Sequence, residues 1–143
     1  MSADNETIRV GIENNPDPEE IAVLYRAAGW MSAEDPVDPI RKSIVNTAAY
    51  CCARLDGRLI GMMRALSDMV SDAYLLDLIV LPEYRKQGVG REITETLAKH
   101  FRDMGVEWIV LIAAPGTESF YAKTEADIMK GYFPLRFYEP QSE

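Results

Sequence analysis

The residues with the clearest capacity for chemistry run from Asp77 to Arg91, Asp-Leu-Ile-Val-Leu-Pro-Glu-Tyr-Arg-Lys-Gln-Gly-Val-Gly-Arg. An apolar run from Tyr74 to Leu81 ends at Pro82, and a short loop follows with Arg85, Lys86, Gln87, Gly88, Val89, Gly90 and Arg91. Gly88 and Gly90 carry no Cβ, so ligand atoms can come close to the backbone. The helical pattern that starts near Val89 opens with N–H groups that have no intrahelical acceptor, at the positive end of the helix dipole. That combination suits a phosphate or diphosphate. Arg85, Lys86 and Arg91 form a basic island in an otherwise acidic chain. Two familiar phosphate loops do not fit: there is no Gly-x-x-x-x-Gly-Lys-Ser/Thr, and Ile93 stands where a dinucleotide fingerprint needs its third small residue.

Asp77 is a lone carboxylate inside Leu75-Leu76-Asp77-Leu78-Ile79. Burial there would raise its pKa and prepare it as a general base. The same position equally suits a structural aspartate, hydrogen-bonded or paired with an arginine. His100 is the sole histidine, so a multi-histidine metal site is excluded, and its neighbours Lys99 and Arg102 place it on a solvated helix face. Cys51 and Cys52 are adjacent and would point to opposite faces of a strand. They read as reduced, buried thiols of a cytoplasmic protein.

The elements that must position these residues follow from periodicity. Thr7 to Ile12 alternates as a strand. Asp17 is placed as an N-cap, with Pro18 at the first helical position and Glu20 set for a capping box. Ile21, Leu24, Tyr25 and Ala28 form one face of that helix, and Gly29 stops it. Asp38-Pro39 repeats the start signal for a second short helix. Ala48–Leu55 and Arg58–Leu66 read as strands joined by an Asp56-Gly57 hairpin turn. Tyr74–Leu81 reads as a central strand covered on both faces, and Val89 to Met104 as a helix with Val89, Ile93, Leu97 and Phe101 inward. Trp108–Ala113 reads as a further buried strand, Thr117–Lys123 as a short helix and Tyr132–Tyr138 as a last strand. The order predicts a mixed α+β domain with a crossover around the helix from Val89.

Bulk properties set the outer limits. A chain of 143 residues fits a single domain over 1–143, with polar residues 1–6 expected to be disordered. At 48% hydrophobic and 27% charged, it has the composition of a globular protein with a core of its own. A net charge of −8 argues against nucleic acid and anionic membranes as partners. It favours a cationic substrate such as an amine. No apolar run approaches a membrane span, and the N-terminus lacks the basic and apolar regions of a targeting signal.

Arg85-x-x-Gly88-x-Gly90 after a Val-x-Pro strand end resembles the acyl-CoA-binding motif, Gln/Arg-x-x-Gly-x-Gly/Ala, of the GNAT superfamily of N-acetyltransferases. The order of elements from Thr7 to Tyr121 is similar as well. The resemblance implies a central, mostly antiparallel sheet flanked by helices, with one splayed pair of strands. It implies that the loop amides from Arg85 to Arg91 hold the CoA diphosphate, and that the backbone of Leu78, Ile79 and Val80 pairs with the pantetheine arm. An N–H near Ile79 or Val80 would then face the oxyanion. Phe120-Tyr121 matches the family's Phe-Tyr, which implies Tyr121 as the acid for the leaving thiolate; Glu125 and Ala126 replace the Gly-Phe that would follow. Trp30 and Met31 fall in the segment that shapes the acceptor pocket of such proteins, although core packing serves them equally. The expected function is transfer of an acetyl group from acetyl-CoA, a cosubstrate, to the primary amine of a small molecule, without a metal. A protein lysine or N-terminal acetyltransferase and a non-catalytic acyl-CoA sensor are the alternatives. A homodimer is expected because many relatives pair.

Overall fold

In a computed structural model, which describes residues 7–140, the alternating segments assemble into one five-stranded sheet of order β1-β2-β3-β4-β5. The expectation for residues 1–6 lies outside the described residues. β1 (Ile8–Glu13), β2 (Ala49–Leu55), β3 (Arg58–Ser67) and β4 (Asp72–Val80) pair antiparallel in sequence. β5 (Trp108–Leu111) pairs parallel with β4, as a crossover connection requires. The hairpin between β2 and β3 turns on Asp56 and Gly57 at φ 51° and 83°. Both are left-handed, the condition for a type I′ turn, whose twist matches the strands it joins.

α1 (Pro18–Ala27) and α2 (Asp38–Ile44) connect β1 to β2. Asp17 caps α1 by accepting from the Glu19 N–H at 3.0 Å, worth about 1 kcal/mol. The Gly29 N–H reaches Arg26 O at 3.1 Å and the Trp30 N–H reaches Tyr25 O at 2.9 Å. With Gly29 at φ 82°, these bonds satisfy two carbonyls that the helix end would leave unpaired. Glu20 does not close the expected capping box. Its carboxylate turns to the sheet and accepts from Arg54 Nη1 at 3.1 and 3.2 Å, because a guanidinium is a stronger donor than a neutral amide. α2 is capped at Val37, one residue before the expected Asp38, and no side chain caps it.

α3 (Val89–Asp103) bridges β4 and β5 and packs against β1 to β5. It buries Val89, Ile93, Leu97 and Phe101, the stripe its spacing predicts, at roughly 1.5–3 kcal/mol each. They join Tyr50, Cys51, Cys52, Ile60, Met62 and Met63 of the sheet in one core.

Three expectations fail toward the C-terminus. β4 is not covered on both faces, since Leu76, Asp77, Leu78 and Val80 are only half-buried. β5 is a four-residue edge strand rather than a buried one, with Trp108 44% exposed. Among the described residues nothing pairs beyond β5, so Tyr132–Tyr138 forms no strand. All three share a cause: the sheet ends at β5, and a strand's burial and pairing come from neighbours, not from its own pattern.

Candidate active site

β4 and β5 stay together for four register positions, from Asp72↔Trp108 to Leu75↔Leu111, and then part. From Leu76 to Val80 the edge of β4 that faced β5 has no strand beside it, while its other edge continues on β3 through Met62↔Ile79 and Gly61↔Val80. A cleft of about 1160 Å3 fills the gap. Its walls include Leu76 to Val80 on one side and Leu111, Ile112 and Ala114 on the other.

Within this stretch β4 carries a bulge. Met62 faces Ile79 and Arg64 faces Leu76, so Asp77 and Leu78 together oppose Met63. Asp77 absorbs the extra residue by adopting φ 62°, a left-handed conformation that aspartate tolerates better than most residues. Its Oδ2 accepts from Arg64 Nε at 2.7 Å and from the Tyr25 hydroxyl of α1 at 3.0 Å. Arg64 Nη1 in turn donates to Thr47 Oγ1 at 3.1 Å. Burial, and then the Asp77 charge and hydrogen bond, push the Tyr25 phenol well above its ordinary value, so it remains a donor. Asp77 is thus the arginine-paired aspartate of the second reading, yet it also lines the cleft, and its Oδ1 accepts no hydrogen bond among the described residues.

Below the bulge, β4 passes through Leu81 and a turn of 3-10 helix, Pro82–Tyr84, into the loop. Lys86 and Gly88 take left-handed φ of 63° and 84°. Such alternation turns successive N–H groups toward one concave surface. Gly88 is the N-cap of α3, and no side chain caps the helix. The Glu92 N–H bonds Gly88 O at 3.0 Å, so the amides of Val89, Gly90 and Arg91 precede the intrahelical ladder. Arg85 Nε donates to Val80 O at 2.9 Å, which fastens the loop to the end of β4. Arg91 pairs with Glu95 at 3.3 Å on the exposed side of α3.

The two glycines have different duties. A Cβ on Gly88 would meet nothing within 4 Å, but its φ favours glycine. A Cβ on Gly90 would lie 3.2 Å from the Phe120 ring. Gly90 therefore admits α4 (Glu118–Tyr121) against the start of α3. Next to Phe120, Tyr121 is half-buried and lines the cleft. Burial pushes its phenol above the ordinary value of 10, and its hydroxyl makes no hydrogen bond among the described residues.

One cleft thus collects Asp77, Leu78, Ile79, Val80, Arg85, Lys86, Gly88, Val89, Gly90, Arg91 and Tyr121. Two residues singled out for the site lie outside its lining: Met31, packed against the core, and Gln87, whose Nε2 is bonded to Glu83 O at 3.3 Å. Trp30 also lines it, 53% exposed, with its ring 5.5 Å from that of Tyr25. Sequence reasoning missed Arg64, Tyr25 and Thr47. Arg64 had a signal, since it interrupts the apolar Met62-Met63-Arg64-Ala65 on one strand as Asp77 interrupts the next.

The model of the acetyltransferase (GNAT) family matches residues 16–124. A ycf52-like, uncharacterized N-acetyltransferase of Prochlorococcus marinus is 30% identical over 106 residues, covering 71% of this chain and 58% of that protein. The chain therefore spans less than two thirds of that relative's length. A probable acetyltransferase of unknown function from methicillin-resistant Staphylococcus aureus superposes with a TM-score of 0.77 at 23% identity, over 94% of this chain and 100% of that one. An aminoglycoside N-acetyltransferase, AAC(6')-Iy, in complex with CoA superposes with a TM-score of 0.69 at 16% identity, over 96% and 100% of the two chains. The overall fold is thus shared with these acetyltransferases, and the chain belongs to the acetyltransferase (GNAT) family.

Proposed function

We propose that this chain transfers an acetyl group from acetyl-CoA to the primary amine of a small molecule, by direct attack within a ternary complex. One observation carries the reading: the open edge of β4 from Leu76 to Val80 ends above an uncapped helix N-terminus. A diphosphate fits the amides between Lys86 and Arg91, where partial positive charge gathers. An amide-bearing arm extending from it can pair with the backbone of Leu78, Ile79 and Val80, as a further strand would. This places a thioester beside the bulge, with its carbonyl oxygen toward a backbone N–H near Ile79.

The amine lone pair attacks the thioester carbon and forms the C–N bond, and the carbonyl oxygen takes the negative charge. Attack makes the nitrogen strongly acidic, so even an ion-paired carboxylate can receive its proton. Asp77 serves through Oδ1, while Tyr25 and Arg64 fix Oδ2. When the oxyanion collapses, the C–S bond breaks and the thiolate takes the proton of the Tyr121 hydroxyl. Burial keeps that phenol protonated at neutral pH. Trp30, its ring 5.5 Å from that of Tyr25, offers an aromatic face to a cationic acceptor, and the net charge of −8 favours its approach. The likeness to an aminoglycoside acetyltransferase supports a cationic small molecule. The free, buried thiols of Cys51 and Cys52 suit a reducing cytoplasm.

The deciding experiment is a panel of small amines and lysine peptides, assayed for CoA thiol release from acetyl-CoA. At least one small amine should release thiol well above hydrolysis, and Gly88→Leu should abolish both turnover and the rise in Tm on adding acetyl-CoA. Turnover on peptides alone would replace the acceptor. An unaltered thermal shift in Gly88→Leu would move the diphosphate elsewhere.

A further inference from the structure

The pairing of Arg64 with Asp77 stops half-made. A guanidinium commonly grips a carboxylate with two parallel N–H groups, one on each oxygen. Arg54 does this to Glu13, with Nε on Oε2 at 2.7 Å and Nη2 on Oε1 at 2.9 Å. Arg64 begins the same way, with Nε on Asp77 Oδ2 at 2.7 Å. Its Nη1 goes to Thr47 Oγ1 at 3.1 Å. Its Nη2, the second tooth of the fork, donates to nothing among the described residues, and Asp77 Oδ1 accepts nothing there.

The neighbour placed to hold Nη2 back is Tyr50. It stands directly opposite Arg64 in the register of β2 and β3, so the two side chains leave the same face of the sheet side by side. Tyr50 is 0% exposed, and its hydroxyl has no hydrogen-bond partner among the described residues. No other buried side-chain nitrogen or oxygen is left in that condition among those residues. A phenol oxygen buried alone is costly, and internal water is what satisfies such groups. Glu13, opposite Tyr50 on β1, is not free to do so, because Arg54 takes both its oxygens. The Tyr50 hydroxyl also shares the field around Asp77. Burial and then Asp77 raise the Tyr25 phenol, and Tyr50 adds to that rise. Burial lowers the Arg64 pKa, and Asp77, Tyr25 and Tyr50 more than restore it.

We infer that Tyr50 is a positioning residue for Asp77: through one buried water its hydroxyl holds Arg64 Nη2 and keeps the fork half open, which reserves Oδ1 for the acceptor's proton. The water accepts from Nη2 and donates to the phenol oxygen, two partners within the range that internal waters show. Without the hydroxyl, Nη2 turns onto Oδ1 and the carboxylate is spent as that of Glu13 is. The inference rests on the acyl-transfer reading for the role of Oδ1, but not for the state of the fork.

Tyr50→Phe removes the oxygen and leaves the ring in the core. A crystal structure of the wild-type chain should show a water between Tyr50 Oη and Arg64 Nη2. One of Tyr50→Phe should show Nη2 within hydrogen-bond distance of Asp77 Oδ1. In turnover, Tyr50→Phe should lower kcat on the order of tenfold, short of the ~10²-fold expected for losing the base itself, with KM for acetyl-CoA unchanged. In an Arg64→Lys background, which has no fork to close, Tyr50→Phe should cost nothing further. A hydroxyl that is merely unpaired gives the opposite set: Tyr50→Phe raises Tm and leaves kcat where it was, and that result overturns the inference. So does a wild-type structure without the water, or a Tyr50→Phe structure in which Nη2 stays off Oδ1. If no amine is acetylated at all, the acyl-transfer reading falls, and the two crystal structures still decide the state of the fork.

Discussion

Two arginines on neighbouring strands face carboxylates, and they differ in what they leave unspent. Arg54 of β2 holds Glu13 through Nε at 2.7 Å and Nη2 at 2.9 Å, Glu20 through Nη1 at 3.1 Å, and Gly57 O at 2.9 Å. Glu20 also receives the Leu59 N–H at 3.4 Å. The hydrogen bonds to Glu13, opposed by burial and reinforced by Glu20, raise the Arg54 pKa further. The cluster ties β1, β2 and α1 together and is closed. Arg64 of β3 holds one oxygen of Asp77, and that aspartate sits on a left-handed bulge in the wall of a cleft. Its second oxygen accepts nothing from the described residues. A saturated network stabilises; a strained one with acceptor capacity in reserve is poised to meet a ligand.

The widest gap between the two clusters should appear in paired substitutions. Asp77→Asn keeps the shape but removes the charge, and kcat should fall on the order of 10²-fold with the acetyl-CoA thermal shift unchanged. Arg54→Met should leave kcat alone and cost about 2 kcal/mol in urea unfolding, a figure held down because the side chains are 24–31% exposed. Equal rate losses in both would erase the distinction. A second effect concerns the open side. Tyr121→Phe should lower kcat by about tenfold or more without altering CoA affinity. The alkaline limb of the wild-type kcat profile should lie above pH 10, because burial raises the Tyr121 pKa above that ordinary value. A limb below pH 10, or an unchanged limb in Tyr121→Phe, removes Tyr121 from the proton transfer. A third effect belongs to the closed side. Burial first, then Glu92 and Glu13 for Cys51 and Glu13 for Cys52, push both thiols up to about 12 from an ordinary 9.0. The unfolded chain therefore loses these protons first. Stability should be full below pH 9 and decline as pH rises toward 12, read as the urea midpoint of wild type against Cys51→Ala/Cys52→Ala. Parallel curves for the two would place the alkaline loss elsewhere.

What was legible in the sequence was local. The helix start near Val89, the Asp56-Gly57 turn and the stripe Val89, Ile93, Leu97 and Phe101 each follow from a few adjacent residues, and each is present. The expectation of phosphate chemistry in the loop rests on the same kind of local pattern. What was hidden depended on register and on neighbours. The bulge at Asp77 arises because β3 and β4 meet out of step between Met62 and Arg64, and no single residue announces that. Glu20 has a capping-box position, but Arg54, 34 positions away, claims it. The apolar alternation of Phe133, Leu135 and Phe137 gives a strand's pattern without naming its partner. Gly90 lines the cleft, and its missing Cβ also makes room for Phe120, a contact that the sequence does not announce.

The four-position joint between β4 and β5 has a consequence for how such an enzyme diversifies. Past Leu75 and Leu111 the two strands are separate jaws, hinged where they meet and otherwise free of each other's hydrogen bonds. On the proposed reading, the jaw formed by β4 and the start of α3 grips the donor. The opposite jaw, Ile112 through α4, can be lengthened, retilted or resurfaced without unpicking a rung of the donor grip. Selection for a new acceptor can therefore work on the stretch from Ile112 to Thr117, while the proposed donor grip and Tyr121 of α4 are kept.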